Sequence, residues 1–297
     1  MYDVIVIGGG IAGLQAAIQL GRYMYQVLVI DSGIGRSTIS QSYHNILGYP
    51  DGVSGNQLRL VGQQHAVKLG VKFIKGYVHE VKRRGEAFEC YVGEQKPLLA
   101  KRILLATGVM DRIPAFPELY PCLGLSVFVC PDCDGYEVKN KKTIVLGAGN
   151  TGAKMALTLT HWTNQLVFVN HEKKGIDDEI KKTVKEKNIE IVEEQIVKVL
   201  TQNHSEFTGV ELVNGQVIYG QAGFIAFGGN EVKSQLAEKL GVKLLENSHI
   251  AVDPRTKQTS VEHVWAAGDI VAHSEQVTIA MGEGSQAAIW IHKSLKK

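Results

Sequence analysis

Hydrophobic residues along the chain fall into short runs that are separated by glycine-rich turns and amphipathic stretches. Residues 4–7 and 27–30 are continuous apolar runs rich in β-branched side chains, which is typical of central strands in a parallel sheet. The stretch between them, residues 11–25, predicts a helix. The chain therefore opens with a strand–helix–strand unit.

This succession recurs in the middle of the chain, where the pattern predicts strands at 143–146 and 166–169 and a helix at 151–160. The alternation predicts an α/β fold class with two Rossmann-like, three-layer dinucleotide-binding domains, the second inserted into the first. Elsewhere the pattern predicts helices at 54–69, 177–187 and 276–295, and strands within 71–92 and at 103–106, 249–252 and 264–269.

A glycine-rich turn joins the first predicted strand to the first predicted helix. Gly8 allows the tight turn, Gly10 lets the backbone approach a pyrophosphate, and Gly13 lets helix and strand pack closely. The N-terminus of the helix favours the phosphate charge. Asp31 ends the next strand, 23 residues after Gly8, where a carboxylate can accept from a ribose hydroxyl. We therefore expect a dinucleotide at this turn.

A second turn with the same spacing predicts a second dinucleotide site. Asn170 stands where Asp31 stands in the first unit, again 23 residues after the first glycine, and His171 and Glu172 follow it. The expected contacts in the turn are Gly147, Gly149, Asn150, Thr151 and Gly152.

The domain boundaries are predicted from breaks in regular structure. Pro114 and Pro117 follow the strand at 103–106, and a second crossing is expected after Asn230. We expect residues 1–115 and 236–297 to form one discontinuous domain and residues 116–235 to form the inserted domain.

Composition excludes several classes of protein. The 297 residues carry 32 basic and 30 acidic side chains, a net charge of +2, which gives no electrostatic footprint for nucleic acid. The amino terminus has no basic segment of a signal peptide, and no run approaches eighteen apolar residues. We expect a cytoplasmic protein that does not act at a membrane.

Cys130 and Cys133 form a C-x-x-C pair, which can close a small disulfide and whose thiolate can attack another disulfide. Half of a zinc site is an alternative, but Cys90 and Cys122 are single and no second pair follows at finger spacing. A structural disulfide is disfavoured in a cytosolic chain. A redox-active dithiol without a metal is favoured, with Cys90 and Cys122 as packed thiols.

At these residues the sequence resembles the low-molecular-weight thioredoxin reductase family over nearly its whole length. The resemblance implies a flavin-dependent disulfide reductase, which passes electrons from NAD(P)H through FAD to a Cys130–Cys133 disulfide and then to a protein or small-molecule disulfide. The motifs occur in the family's order: the turns at 8–13 and 147–152, Ala106-Thr107-Gly108, Cys130-x-x-Cys133-Asp134-Gly135, and Gly268-Asp269 followed by Gln276-Val277.

The resemblance also implies roles for single residues. Cys133 would face the flavin, Cys130 would exchange with the external disulfide, and Asp134 would protonate the leaving thiolate. The discontinuous domain would bind FAD, with Asp269 on its ribityl chain, and the inserted domain would bind NADPH or NADH. Further FAD contacts implied in this way are Asn45, Ala106, Thr107, Gly108, Gly268, Gln276 and Val277.

The partner implied by the family is a thioredoxin-like protein or a low-molecular-weight disulfide, and the assembly implied is a homodimer. Family members alternate two domain orientations, because one flavin face cannot meet nicotinamide and dithiol together. Crossings near Pro114 and Asn230 would then act as hinges.

Three departures from the family pattern change these expectations. The His-Arg-Arg run that grips the 2′-phosphate of NADPH is His171-Glu172-Lys173 here, and lysine does not supply arginine's bidentate fork. Glu172 would repel a phosphate but could accept from a free 2′-hydroxyl, so weak NADPH use is expected, with NADH or neither as alternatives. The family's Arg-Gln before the last helix is Glu275-Gln276, and its Gly-Gly-Gln-Leu is Gly35-Arg36-Ser37-Thr38, so the surroundings of the flavin are expected to differ.

Two other functions stay open at the level of sequence. A dithiol oxidase with the same fold would pass electrons from a small dithiol through FAD to oxygen and would need no nicotinamide. The intact turn at Gly147 argues against it, whereas the altered 2′-phosphate site favours it. A nucleotide-binding redox sensor without fast turnover is the third possibility.

Overall fold

The computed structural model describes residues 1–94, 96–272 and 274–296. The chain divides into two compact units, of which the first comprises Met1–Thr38, Gly55–Met110 and Glu231–Lys297, and the second Ile39–Ser54 and Asp111–Asn230. The expected α/β class, with one sheet unit inserted into the other, is confirmed. The units divide at 110/111 and 230/231, five residues before the predicted domain boundaries at 115/116 and 235/236. The functional domain boundaries stay a prediction.

The first unit is built on a seven-stranded sheet. Strands β3, β2, β1 and β6 are neighbours in that order and run parallel, and β5 and β4 continue the sheet antiparallel. Strand β17 pairs parallel with the second half of β6, and a short β7–β16 ladder closes the unit. The strands are β1 (Tyr2–Ile7), β2 (Val27–Asp31), β3 (Lys72–Lys75), β4 (Val78–Arg84), β5 (Ala87–Val92), β6 (Leu98–Leu105), β7 (Val109–Met110), β16 (Glu231–Val232) and β17 (Val264–Ala266).

Helices cover this sheet because its central strands are apolar on both faces. Residues Val4 and Val6 pack with one buried cluster, and Ile5 and Ile7 pack with another, as the alternation of side chains along a strand requires. The helices that accompany this sheet are α1 (Ile11–Arg22), α2 (Arg36–Ile39), α3 (Gly55–Lys68), α7 (Gln235–Lys239) and α8 (Val277–Leu295).

The second unit repeats this plan on a five-stranded parallel sheet, in which β11, β10, β9, β15 and β8 are neighbours in that order. A three-stranded antiparallel sheet, β12–β13–β14, accompanies it. The elements are β8 (Val127–Phe128), α4 (Pro131–Asp134), β9 (Thr143–Gly147), α5 (Gly149–Leu159), β10 (Leu166–Asn170), α6 (Asp178–Glu186), β11 (Glu190–Val192), β12 (Ile196–Gln202), β13 (Glu206–Leu212), β14 (Val217–Tyr219) and β15 (Ala222–Ala226), with 3₁₀ helices at Pro117–Cys122 and Gly135–Val138.

One predicted strand is wrong. Residues 249–252 form only isolated bridges, in which Ile250 meets Leu244 and Val271 and Val252 meets Thr259. The local apolar pattern there has no continuous neighbouring strand to pair with. Among the residues that the structure describes, none of the helices has the length and apolar character that a membrane span requires.

Candidate active site

A disulfide joins Cys130 and Cys133 at the start of α4, with their Cα atoms 5.3 Å apart. Pro131 occupies the first turn of the helix, where a missing N–H costs nothing. The backbone N–H of Cys133 donates to Cys130 Sγ at 3.2 Å. A donor aimed at this sulfur favours the thiolate form of Cys130 after reduction. Both cysteines are partly exposed, so an external disulfide can reach them.

Asp134 ends α4, next to the disulfide. Its carboxyl is 13% exposed, and burial, followed by the charge of Glu137, raises its pKa to about 7. The group therefore exchanges its proton near neutral pH, as a general acid must. Gly135 follows because a Cβ there would come within 2.6 Å of the Trp162 ring, which packs directly on the backbone.

The two remaining cysteines are free and buried, as predicted. Burial raises the pKa of Cys90 to about 12, and burial also raises the pKa of Cys122. Thiols with raised pKa values are poor nucleophiles at neutral pH.

The first glycine turn joins β1 to α1 with the close contacts that the sequence predicts. A Cβ at Gly13 would lie 1.9 Å from the carbonyl oxygen of Gly8, so only glycine allows this contact. A Cβ at Gly10 would meet no described atom within 4 Å, so the backbone there faces open space. This space lies at the N-terminus of α1, where a pyrophosphate fits.

Asp31 ends β2 and meets the turn. Its Oδ1 accepts from the Gly9 N–H at 3.1 Å, and its Oδ2 accepts from Arg59 Nη2 at 2.6 Å. Arg59 also donates to the Gly9 carbonyl at 2.9 Å. The sequence prediction missed Arg59, which lies 28 residues from Asp31 in α3 and carries no motif. The one local feature at this position is that Arg59 follows Leu58, a residue on the buried side of α3.

The segment after β6 carries three of the expected FAD contacts. Ala106 is buried and its N–H donates to Ile7. The Thr107 hydroxyl donates to the Lys233 carbonyl at 2.7 Å, and the Lys233 N–H donates to Gly108 at 3.0 Å. These bonds fix the position at which the chain returns to the first unit.

Gly268, Asp269, Gln276 and Val277 lie on either side of the start of α8. Gln276 is the N-cap and Val277 the first residue of this 19-residue helix. The Gly268 N–H donates to the buried Glu283 at 2.9 Å, and Asp269 accepts from Arg36 at 3.0 Å. The helix N-terminus favours negative charge beside it. Arg36 contacts both Asp269 and Glu275, the residue before the N-cap, so the carboxylate of Asp269 lies close to the N-terminus of α8. This arrangement fits a flavin dinucleotide.

Asn45, the last expected FAD contact, is exposed and lies in the segment Ile39–Ser54 that groups with the second unit. Its role stays a prediction.

The second glycine turn joins β9 to α5. A Cβ at Gly152 would lie 2.2 Å from the Phe168 ring, so the backbone of α5 packs directly on this ring from β10. The Asn150 side chain accepts from the Asp177 N–H at 2.8 Å. Thr151 lies close to the backbone of Gly228, where an added Cβ would be 2.9 Å from its hydroxyl. Gly147 and Gly149 complete the turn at the end of β9.

Asn170 is fully buried and binds protein groups on both sides of its amide. Its Oδ1 accepts from the Gly149 N–H at 2.9 Å, and its Nδ2 donates to the Lys174 carbonyl and to Glu193. Asn170 therefore anchors the glycine turn to the end of β10.

His171 and Glu172 follow Asn170 in different surroundings. His171 Nδ1 accepts from the Ile196 N–H at 2.8 Å, and burial lowers its pKa. Glu172 accepts from Lys174 Nζ at 2.7 Å and from the Arg112 guanidinium, and these hydrogen bonds lower its pKa. The fold thus brings one arginine to a stretch that contains none. Arg112 and Glu172 are 60 residues apart in the sequence, so no local pattern indicates their contact.

Comparison with known proteins gives a consistent result. Residues 2–284 match the model of the pyridine nucleotide-disulphide oxidoreductase family. The thioredoxin reductase of Rickettsia bellii (strain RML369-C) is 28% identical over 307 residues, which cover 99% of this chain and 98% of the relative. A putative thioredoxin reductase, TrxB, from Bacillus anthracis superimposes with a TM-score of 0.86 at 27% identity, covering 100% and 99% of the two chains. The structure of HlmI gives a TM-score of 0.89 at 29% identity, covering 99% and 92%.

Proposed function

The chain belongs to the pyridine nucleotide-disulphide oxidoreductase family, and from this premise we propose which residues act and on what. The resemblance to low-molecular-weight thioredoxin reductases is confirmed, and with it a flavin-dependent disulfide reductase that uses FAD and a nicotinamide cofactor. In our proposal Cys130 exchanges with the external disulfide, Cys133 receives electrons, and Asp134 supplies the proton.

The observation that carries this proposal is the surroundings of the disulfide. The donor from Cys133 N to Cys130 Sγ favours Cys130 as the attacking thiolate. Asp134, with a pKa of about 7, can give a proton to a departing thiolate and take one back at neutral pH. Exchange then proceeds through a mixed disulfide on Cys130, which Cys133 resolves.

FAD, when bound, accepts hydride from the nicotinamide and delivers two electrons to the disulfide. In our proposal the residues that hold it are Gly8, Gly10, Gly13, Asp31, Asn45, residues 106–108, Gly268, Asp269, Gln276 and Val277. The N-terminus of α1 would bind the pyrophosphate, and Asp269 would orient the ribityl chain. Residues 147–152, 171 and 172 would bind the nicotinamide nucleotide, and Asn170, which is fully buried, would contribute by holding the turn.

We propose NADH as the preferred nucleotide. Glu172 is ionised at neutral pH and already binds Arg112 and Lys174, so these two cations are partly neutralised. A free 2′-hydroxyl can donate to this carboxylate, whereas a 2′-phosphate would be repelled by it. This supports NADH over NADPH at the level of charge.

For the partner we propose a thioredoxin-like protein, because the relatives with full-length coverage are named thioredoxin reductases. We also propose a homodimer. A dithiol that nicotinamide keeps reduced suits a reducing compartment, and we propose the cytoplasm.

Anaerobic titration of the FAD-loaded protein tests the function. We expect NADH to bleach the flavin absorbance, and thioredoxin disulfide to restore it. The Cys130→Ser variant should keep flavin bleaching and lose turnover of the external disulfide, and the Cys130→Ser/Cys133→Ser variant should behave in the same way. Bleaching by small dithiols but by neither nucleotide would overturn the proposal in favour of a dithiol oxidase.

A further inference from the structure

His44 has a buried ring nitrogen with no hydrogen-bond partner. Within the described residues, Nδ1 is buried and unsatisfied, and it lies 3.8 Å from Asp134 Oδ1 and 4.0 Å from Glu137 Oε1. All three residues belong to the second unit. Buried polar atoms are nearly always bonded, so this exception calls for a structural or functional reason.

The segment that carries His44 is held in place by backbone bonds. Tyr43 and Val53 exchange two hydrogen bonds, of 2.8 and 3.1 Å, and the Gln41 N–H donates to the Leu123 carbonyl at 2.9 Å. The backbone that carries the ring is therefore held by the fold. The separation of 3.8 Å between Nδ1 and Asp134 Oδ1 is roughly 1 Å longer than a hydrogen bond, so a proton passes between them only when one of the two side chains rotates toward the other.

The charged groups placed against the ring are Asp134, at the end of the disulfide helix, and Glu137, in the helical turn after it. The His44 side chain is 26% exposed although Nδ1 is buried, so solvent reaches the ring at its other atoms. The ring therefore connects solvent with the buried carboxyl of Asp134.

We propose that His44 is a positioning residue that relays protons between solvent and Asp134 during disulfide exchange. The inference rests on the proposed function, in which Asp134 is the acid. The sequence around the disulfide does not indicate this contact, because His44 lies 90 positions before Asp134.

The proton balance is closed. The Cys130 thiolate attacks the external disulfide, forms a mixed disulfide and expels one thiolate, which takes the proton of Asp134. Before this attack His44 has passed a proton from solvent to Asp134, in place of the proton that Cys130 released on ionisation, so the carboxyl is left ionised once the thiolate has taken its proton. Cys133 then loses its proton through the same carboxyl and attacks Cys130 Sγ. This restores the internal disulfide, and the second thiolate leaves with that proton. Electrons pass only between sulfur atoms.

Two probes with different leaving groups test the relay. The FAD-loaded protein, reduced anaerobically with stoichiometric dithionite, is mixed with hydroxyethyl disulfide, whose leaving thiolate is strongly basic, or with dithiobis(nitrobenzoate), whose leaving thiolate is weakly basic. We expect His44→Asn to slow the first reaction on the order of 10-fold around pH 8 and to leave the second nearly unchanged, because only a basic leaving group needs an acid. The slowing should disappear toward about pH 6, where solvent protonates Asp134 directly.

Matched variants separate the relay from other causes. His65→Asn, on the exposed face of α3, should match the parent with both probes, and His44→Gln guards against a fold defect of one replacement. Asp134→Asn should slow hydroxyethyl disulfide at least as much, and His44→Asn added to it should cost no more. Equal slowing of both probes by His44→Asn, or a second independent loss in the double variant, would overturn the relay. No effect of Asp134→Asn would instead overturn the acid role in the proposed function.

Discussion

Arg36 and Glu275 form an ion pair, in which Nη1 of Arg36 lies 2.5 Å from Oε2 of Glu275 and 3.0 Å from Oδ2 of Asp269. Arg36 and Glu275 are two of the positions at which this chain departs from the thioredoxin reductase pattern. The positive charge that the family carries before its last helix is supplied here from position 36, 239 residues away. The two departures are therefore joined in one ion pair.

Replacing Arg36 by Gln should weaken FAD binding on the order of 10-fold, because the carboxylates of Asp269 and Glu275 would lose a charged donor worth about 1.5 kcal/mol. Release of FAD, followed by its fluorescence, measures the dissociation constant. Arg22→Gln, at an exposed position on α1, serves as the control. Arg36→Gln/Glu275→Gln should regain part of the affinity. An Arg36→Gln variant that binds FAD as tightly as Arg22→Gln would contradict a role of Arg36 in FAD binding.

Sequence reasoning succeeded where the information is local. Both glycine turns have local contacts, such as Gly13 against Gly8, and their spacing between a predicted strand and a predicted helix identifies them. The alternation of apolar strands with helices likewise predicted the fold class, because the central strands of both parallel sheets are buried on both faces.

Pairs brought together from distant positions left no such signal. The contacts of Arg36 with Glu275, Arg112 with Glu172 and His44 with Asp134 depend on register and crossings that no local pattern encodes. The wrong strand at 249–252 has the same cause, since a strand exists only if a neighbour pairs with it continuously.

Asp134→Asn should stabilise the protein at alkaline pH. The pKa of Asp134 rises from 3.8 to about 7 on folding, so between these values the folded state binds more protons than the unfolded state. The free energy of unfolding therefore falls as pH rises through this range and then levels off. Relative to the parent, the variant should gain on the order of 3 kcal/mol between about pH 4 and about pH 8.

Urea unfolding of the oxidised protein at both pH values measures this gain, and Asp132→Asn, at the exposed neighbouring position, is the control. Asp134→Asn should at the same time lose disulfide turnover. A difference between variant and parent that does not change with pH would show that the carboxyl is not shifted.

Lys257 and Glu283 form a buried ion pair of 2.6 Å under the Gly268–Asp269 segment. Lys257→Met should cost about 3 kcal/mol of unfolding free energy, because it removes the cation that lies 2.6 Å from a buried carboxylate. Lys257→Met/Glu283→Gln should cost less than Lys257→Met, since the buried negative charge is removed while an acceptor for the Gly268 N–H is kept. Urea denaturation of the parent, Lys257→Met, Glu283→Gln and the double variant completes the double-mutant cycle. A double variant that loses the full sum of the single losses would argue against coupling.

Glu172→Gln should change the choice of nucleotide, because the carboxylate both repels a 2′-phosphate and occupies Arg112 and Lys174. Without it, the two cations can bind the phosphate, and kcat/KM for NADPH should rise on the order of 10-fold, while that for NADH falls by a similar factor as the acceptor for the 2′-hydroxyl weakens. Steady-state rates with each nucleotide measure the change, and Glu190→Gln, at an exposed position on β11, is the matched control.

Adding Arg112→Gln to Glu172→Gln identifies the cation responsible. If Arg112 binds the phosphate as a bidentate donor, most of the NADPH gain should disappear, whereas the NADH rate should stay where Glu172→Gln left it. A parent enzyme that already prefers NADPH would contradict the charge argument. Unchanged rates with both nucleotides in Glu172→Gln and in Arg112→Gln/Glu172→Gln would show that the nucleotide ribose does not lie at Glu172.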